Sequence, residues 1–238
     1  MGKSLTQQKR GKGSPTYKSP SFRYKGKPEY PSLKKQVING KILDLMHCPG
    51  HSSPLAKVQY EDNEQGLILA PDGIKVGDPI VVGESIPIKT GNILPLKNIP
   101  EGTPIYNLES NPGDGGKFVR SSGTSAKIIT KSGKNIIVEL PSSKRRTFRP
   151  ECRATIGIIA GSGRIEKPFL KAGRKYYAMK SKNKMWPSVS GTSMNSVDHP
   201  FGGSSSSIKG RPTQSSRNAP PGRKVGKIAP RRTGRKKR

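Results

Sequence analysis

The residues of this chain that could do chemistry fall into three short clusters. Ser193, Asp198 and His199 supply the side-chain types of a hydrolytic triad. No G-x-S-x-G elbow occurs anywhere in the sequence. Asp198 and His199 are adjacent, and neighbouring side chains usually point apart, so the carboxylate is badly placed to orient the imidazole. Triad catalysis is therefore not expected. A lone His199 acting as general base competes with a plainer role, a histidine hydrogen-bonded to backbone or phosphate. His47-Cys48-Pro49-Gly50-His51 offers three metal-binding side chains, and Cys152 could make a fourth. Structural zinc sites space their ligands as C-x(2–4)-C with a second such pair. That spacing is missing, so a buried cysteine beside exposed histidines is expected, with no metal. Asn111 to Lys117, NPGDGGK, is a glycine-rich loop ending in lysine, but it lacks the G-x-x-x-x-G-K-[ST] frame. Its backbone could approach a phosphate, or it could be a plain surface turn. The expectation from all three clusters is no enzyme, no catalytic residue and no cofactor.

The charge balance points elsewhere. The chain has 45 Lys+Arg against 15 Asp+Glu, a formal net charge of +30. So much uncompensated charge repels itself on one compact body and calls for a polyanionic partner, of which nucleic acid is the commonest large one. The charge is also sorted. Residues 1–35 hold ten bases and one acid, 36–83 three bases and six acids, 84–160 twelve and six, and 161–238 twenty and two. The middle resembles an ordinary protein and the two ends do not. Four aromatic residues lie within 36–160; the other nine interleave with Lys and Arg in the basic ends. Rings beside cations can stack on unpaired bases, or they can pin the ends to a globular body.

Against that background the stretch from Trp186 to Gly203, WPSVSGTSMNSVDHPFGG, stands out. It holds the only Trp and lies in the most basic region, yet has no Lys or Arg. Apolar residues make up 30% of the chain, about 40% with Gly, below the roughly 45–50% usual for globular domains. Two cysteines are too few for a disulfide framework and suit a reducing cytoplasm. The N-terminus lacks the apolar stretch of a signal peptide, and no apolar run is long enough to span a membrane.

Four segments must position these residues. Residues 1–35 are broken by Pro and Gly, so no helix is expected there, only an extended basic arm without structure of its own. Residues 36–83 read as short strands. Gln36-Val37-Ile38 and Ile42 to Met46 flank an Asn39-Gly40 hairpin turn; Leu55 to Tyr60 alternates, Leu67 to Ala70 returns, and Asp78 to Gly83 is another strand. Residues 84–160 repeat the theme. Ile105 to Glu109 alternates, Ser125 to Thr130 and Asn135 to Leu140 form a hairpin, Lys144 to Arg149 is a strand or edge with four bases, and Arg153 to Ile159 closes the set. This spacing suggests two small β-barrels. Pro168 to Met179 could form a short helix weakened by Gly173, and residues 204–238 form a basic tail that orders only on a partner.

The blocks GTSMNSVDHPFGG at 191–203, LAPDGIKVGD at 69–78, GNILPLKNIPEGTPIYNLE at 91–109, PGDGGKFVRSSGTSA at 112–126 and CRATIG at 152–157 closely resemble universal large-subunit ribosomal protein two, the L-two family. The tail APPGRKVGKIAPRRTGR at 219–235 looks like its archaeal and eukaryotic branch. The resemblance implies a mainly β fold: an OB-fold over 36–83, then a Src-homology-three-like barrel over 84–160, with the basic N-terminal arm and the 161–238 extension threading into ribosomal RNA. It implies a structural protein of the large subunit in the cytoplasm. Such a protein organises RNA near the peptidyl transferase centre and supports subunit association and tRNA binding. Implied partners are large-subunit ribosomal RNA, neighbouring ribosomal proteins and the small subunit; no membrane contact and no independent homo-oligomer are expected. The RNA-binding set expected from charge and resemblance is Lys117, Arg120, Lys144, Arg145, Arg146, Arg149, Arg153, Lys171, Arg174, Lys175, Trp186, Asn195, Asp198, His199, Gly202, Gly203, Arg223, Lys224, Arg231 and Arg232. His199 occupies the place of a family histidine once considered for peptidyl transfer; a direct part in that reaction is the alternative. Ser196, where proline is usual, and Ser204 to Ser207 depart from the family pattern.

Overall fold

The computed structural model of the protein describes residues 2–32, 37–203 and 212–232. Two units emerge: Ser21–Leu170, and Met1–Pro20 with Lys171–Arg238.

The first unit is mainly β, and ten of its strands join in one sheet. Its first strands are β1 (Ile38–Met46), β2 (Leu55–Tyr60), β3 (Gln65–Leu69), β4 (Pro79–Val82) and β5 (Ile93–Pro95). They are followed by β6 (Pro104–Tyr106), β7 (Ala126–Ser132), β8 (Asn135–Glu139), β9 (Arg145–Phe148) and β10 (Arg153–Ile156). The sheet order is β3-β2-β1-β4-β5-β10-β6-β7-β8-β9. Neighbours are antiparallel except β4 and β5, joined in parallel by one pair, Val82 and Ile93.

Two cores flank β5. Successive side chains of a strand face opposite ways. Ile93 accordingly enters one core, with Ile42, Ala56, Val58, Ile68 and Ile80. Leu94 enters the other, with Ile105, Ile128, Val138, Phe148 and Ala154. A third cluster holds Cys48, Leu55, Leu69, Tyr106 and Ile159.

One expected turn is absent. β1 runs straight through Asn39-Gly40, which pair with Val81 and Ile80 of β4. Gly40 is needed for room, not for turning: a Cβ there would lie 2.7 Å from Val58 Cγ1 and 2.9 Å from Tyr60 Cδ1. Gln36 of the expected preceding strand lies outside the described residues.

The arm also differs from expectation. A short helix α1 (Thr6–Gly11) occupies the stretch free of proline. The Gln8 side chain accepts from Leu5 N at its start, and Lys9 and Arg10 suit the negative end of its dipole. Further on, residues 24–31 pack onto the sheet unit, in place of the structureless arm expected. Glu29 N donates to Leu67 O, and the buried Tyr30 hydroxyl lies 2.7 Å from both Asn107 O and Thr155 Oγ1. Burial pushes the Tyr30 phenol pKa well up, so it stays a neutral donor.

The second unit holds α1, helix α2 (Ala172–Lys180), and a parallel pair β11 (Gln214–Ser215) and β12 (Lys227–Ile228). Gly173 is tolerated in α2 because it sits in the first turn, where amides have no partner within the helix. The tail between 212 and 232 thus has structure of its own. Its composition hides the reason, a single buried residue, Val225, clustered with Leu5 and Phe201.

Candidate nucleic-acid interface

The 186–203 stretch is a chain of tight turns. Asn195 O accepts from both Asp198 N (3.0 Å) and His199 N (3.2 Å), His199 O accepts from Gly202 N (2.9 Å), and Met194 O from Gly203 N (3.3 Å). Two glycines give the turns their room. A Cβ on Gly202 would lie 2.3 Å from Asn195 O, and one on Gly191 would lie 2.4 Å from the His199 ring.

His199 is fixed by its own turn. Phe201 N donates to His199 Nδ1 at 3.0 Å, and the two ring centroids are 5.2 Å apart. The Nδ1 lone pair is engaged, so the neutral ring carries its proton on Nε2. Partial burial lowers its pKa below the ordinary 6.5, which keeps the ring neutral at pH 7. In that form the single ring lone pair, on Nδ1, is held by Phe201 N and is not presented outward, as a general base's must be. What it does offer is one N–H donor at Nε2. Asp198 Oδ1 lies 3.5 Å from Lys3 Nζ.

The expected RNA-binding residues divide by what their side chains touch. Lys144, Arg145, Arg146 and Arg149 are exposed on or beside β9, the edge strand. The Arg146 guanidinium lies 4.3 Å from the ring centroid of the half-buried Phe118, which packs edge-on against the buried Phe148. Lys171, Arg174, Lys224, Arg231 and Arg232 are also exposed, and Arg223 is half-buried. None of Lys144, Arg145, Arg149, Arg174, Arg231 or Arg232 forms an ion pair among the described residues. Lys175 lies over the half-buried Trp186 ring, 5.3 Å from its centroid. Asn195 and Gly203 are exposed and Gly202 is half-buried. Ser204 to Ser207 lie outside the described residues.

Two of the expected cations belong to the interior. Arg153 is 5% exposed. Its guanidinium pairs with the fully buried Glu109 at 2.8 Å and donates to Pro31 O at 2.8 Å. It cannot reach a phosphate without breaking that pair, and it is withdrawn from the RNA-binding set. Arg120 is half-buried and donates to Gly116 O and Pro28 O, and burial lowers its pKa from the ordinary guanidinium value. Both arginines hold residues 28–31 in place.

The glycine-rich loop is likewise turned inward. Asp114 accepts from the amides of Ser110, Asn111 and Gly116, and Glu109 accepts from that of Gly115. Those four donors are satisfied within the protein, so the loop is a self-capped turn and not a phosphate cradle; its exposed Lys117 projects from the end. Cys48 is fully buried with His51 Nδ1 3.1 Å from its sulfur, and His47 is exposed.

Sequence reasoning missed Lys3 and Leu5, which touch the loop. Leu5 is the first apolar residue after Met1 in a polar arm, the only signal that could have found it. Of the aromatic residues in the basic ends, Tyr30 and Phe201 are buried anchors. Phe22 (82%), Tyr177 (69%) and Phe169 (50%) present their faces to solvent.

Comparison with known proteins bears on the whole chain. Residues 27–82 match the family described as Ribosomal Proteins L2, RNA binding N-terminal domain, and residues 89–224 match Ribosomal Proteins L2, C-terminal domain. The chain is 52% identical over 241 residues to the large ribosomal subunit protein uL2 of Methanothermobacter thermautotrophicus, with 100% of each chain covered. It is 53% identical over 239 residues to that of Methanopyrus kandleri, covering 99% of this chain and 98% of the relative. With that of Archaeoglobus fulgidus it shares 50% identity over 234 residues, covering 98% and 99%.

Proposed function

The chain belongs to the ribosomal protein L2 family, and from that premise we propose that it is a structural, non-enzymatic component of the large ribosomal subunit that binds ribosomal RNA. The observation that carries the mechanism is the sorting of its cations. Inside the sheet unit, Arg153 and Arg120 are matched to Glu109 and to backbone carbonyls. On the β9 edge, on α2 and along the tail, exposed Lys and Arg have no carboxylate partners among the described residues. Unmatched surface cations of this density are suited to neutralising phosphates between RNA helices that would otherwise repel one another.

The 191–203 loop, which carries no Lys or Arg, has the complementary role. It approaches RNA by shape, with exposed backbone and the His199 Nε2–H as donors, while neighbouring cations hold the RNA. By family resemblance this loop lies near the peptidyl transferase centre, and the protein supports subunit association and tRNA binding through contacts with ribosomal RNA and neighbouring proteins. The RNA-binding set proposed is Lys117, Lys144, Arg145, Arg149, Lys171, Arg174, Arg223, Lys224, Arg231 and Arg232, with Arg146, Lys175 and Trp186 as cation-on-ring elements, and Asn195, Asp198, His199, Gly202 and Gly203 in the loop.

Filter binding of the full chain to large-subunit RNA tests this. With about ten phosphates contacted, log affinity falls against log salt with a slope near −7 to −9. A slope near zero overturns the proposal.

A further inference from the structure

Among the described residues of the unit formed by the two chain ends, the buried apolar side chains are three: Leu5 (6% exposed), Phe201 (8%) and Val225 (7%). Each comes from a different segment, and each is the only buried apolar residue of its segment. A cluster this small has no redundancy, so removing one member exposes the other two.

The N-terminal residues join the loop through more than this cluster. Lys3 N donates to Val197 O at 2.8 Å, a backbone bond fixed whatever the side chain does. Lys3 Nζ approaches Asp198, an exposed contact that solvent screens. Leu5 is held by α1, since its amide donates to Gln8 Oε1 and its carbonyl accepts from Lys9 N. From Leu5 the contact passes to Phe201, whose amide donates to His199 Nδ1. A half-open pocket of about 330 Å³ is lined by Gly2 to Leu5 and Gln8, by Ser196 to Pro200, and by Pro221 and Gly222.

We propose that residues 2–5 are a clamp that positions the 195–203 loop, with Leu5 as the positioning residue acting through Phe201 on His199. Residues 2–5 are then part of the element that presents His199 and Gly202. Only the last step, from a positioned loop to contact with ribosomal RNA, rests on the function proposed above.

The test uses the full-length chain with Leu5→Ala, Val225→Ala and the volume-conserving Leu5→Met. Two quantities are read by NMR on the free protein: the titration midpoint of the His199 ring, and exchange of the Gly202 and Gly203 amides, which are bonded to His199 O and Met194 O. In Leu5→Ala the midpoint rises towards 6.5. Exchange at both amides speeds up by about 30-fold or more, the population change implied by the lower end of buried Leu→Ala losses. Val225→Ala, which opens the same cluster from the tail, reproduces both changes, and Leu5→Met restores wild-type values. Amides of α2, which lies in the same unit as the cluster, exchange as in the wild type, which shows that the unit still folds in the variants. Wild-type titration and exchange in Leu5→Ala overturn the clamp, whatever Val225→Ala does. A wild-type chain with no salt-dependent RNA binding overturns the ribosomal function instead, and leaves these two readings where they were.

Discussion

His199 shows how one hydrogen bond assigns a role that residue type leaves open. Its Nδ1 accepts from Phe201 N, and burial favours the neutral ring. A folded-state pKa below the unfolded 6.5 means the folded form binds fewer protons. The stabilisation is therefore fully present above 6.5 and is lost as pH falls through the folded pKa. The 195–203 loop should be ordered at neutral pH and loosen on acidification, seen as a falling protection factor at the Gly202 amide, with a His199 midpoint below 6.5. A midpoint above 6.5 contradicts the burial account. Gly202 makes a second prediction. Its added Cβ would meet two backbone carbonyls, Asn195 O at 2.3 Å and Met194 O at 2.5 Å, and backbone cannot swing aside as a side chain can. Gly202→Ala should cost about 1–3 kcal/mol of loop stability, a typical overpacking cost. The same change at Gly191 meets the His199 ring at 2.4 Å and should break the Phe201 N–His199 Nδ1 bond, shifting the His199 midpoint as well; thermal exchange series on both variants check this. His199 and Gly202 were visible in the sequence as unusual residues in a basic region. Their partners were not, because a turn's hydrogen bonds depend on backbone angles that no residue pattern specifies.

Among the elements, strands that alternate cleanly were legible. β2, β4, β7 and β8 fall where Leu55 to Tyr60, Pro79 to Val82 and the 126–139 hairpin alternate or run apolar. Asn39-Gly40 misled because a local turn signal was outweighed by pairing on both sides of β1 and by the room Val58 and Tyr60 need. Arg153 misled because charge does not tell a phosphate ligand from half of an internal pair. Its burial makes a sharp prediction. Glu109→Ala leaves the Arg153 charge buried and should cost about 3–5 kcal/mol, whereas replacing both by apolar residues of similar volume should be nearer neutral; denaturant melts of the single and double variants compare them. The β9 edge predicts the opposite behaviour. Arg145→Ala or Arg149→Ala should leave those melts unchanged within ~0.5 kcal/mol, yet reduce the salt slope of RNA binding by about 1 each. An unchanged slope would remove that edge from the interface.

At the scale of the whole molecule, composition alone gave the partner class: a chain of net charge +30 with its bases gathered at both ends calls for a polyanion. Composition could not give the pairing of those ends. Averaged over residues 204–238, one Val among Ser, Gly, Pro and Arg carries no weight, yet Val225 closes a cluster with Leu5 and Phe201. That cluster has a consequence for the order in which the chain is made. Leu5 leaves the ribosome early, while Phe201 follows 196 positions later, which at ~5–20 residues per second is a wait of about 10–40 s. Throughout that interval a strongly basic end is without its partners, and RNA is abundant around it. Ribosome-bound nascent chains stopped before Phe201 should be cut by trypsin at Lys9 and Arg10, and completed chains should be protected there. Until Phe201 and Val225 are made, Leu5 and the basic residues around it are covered only by whatever else binds them.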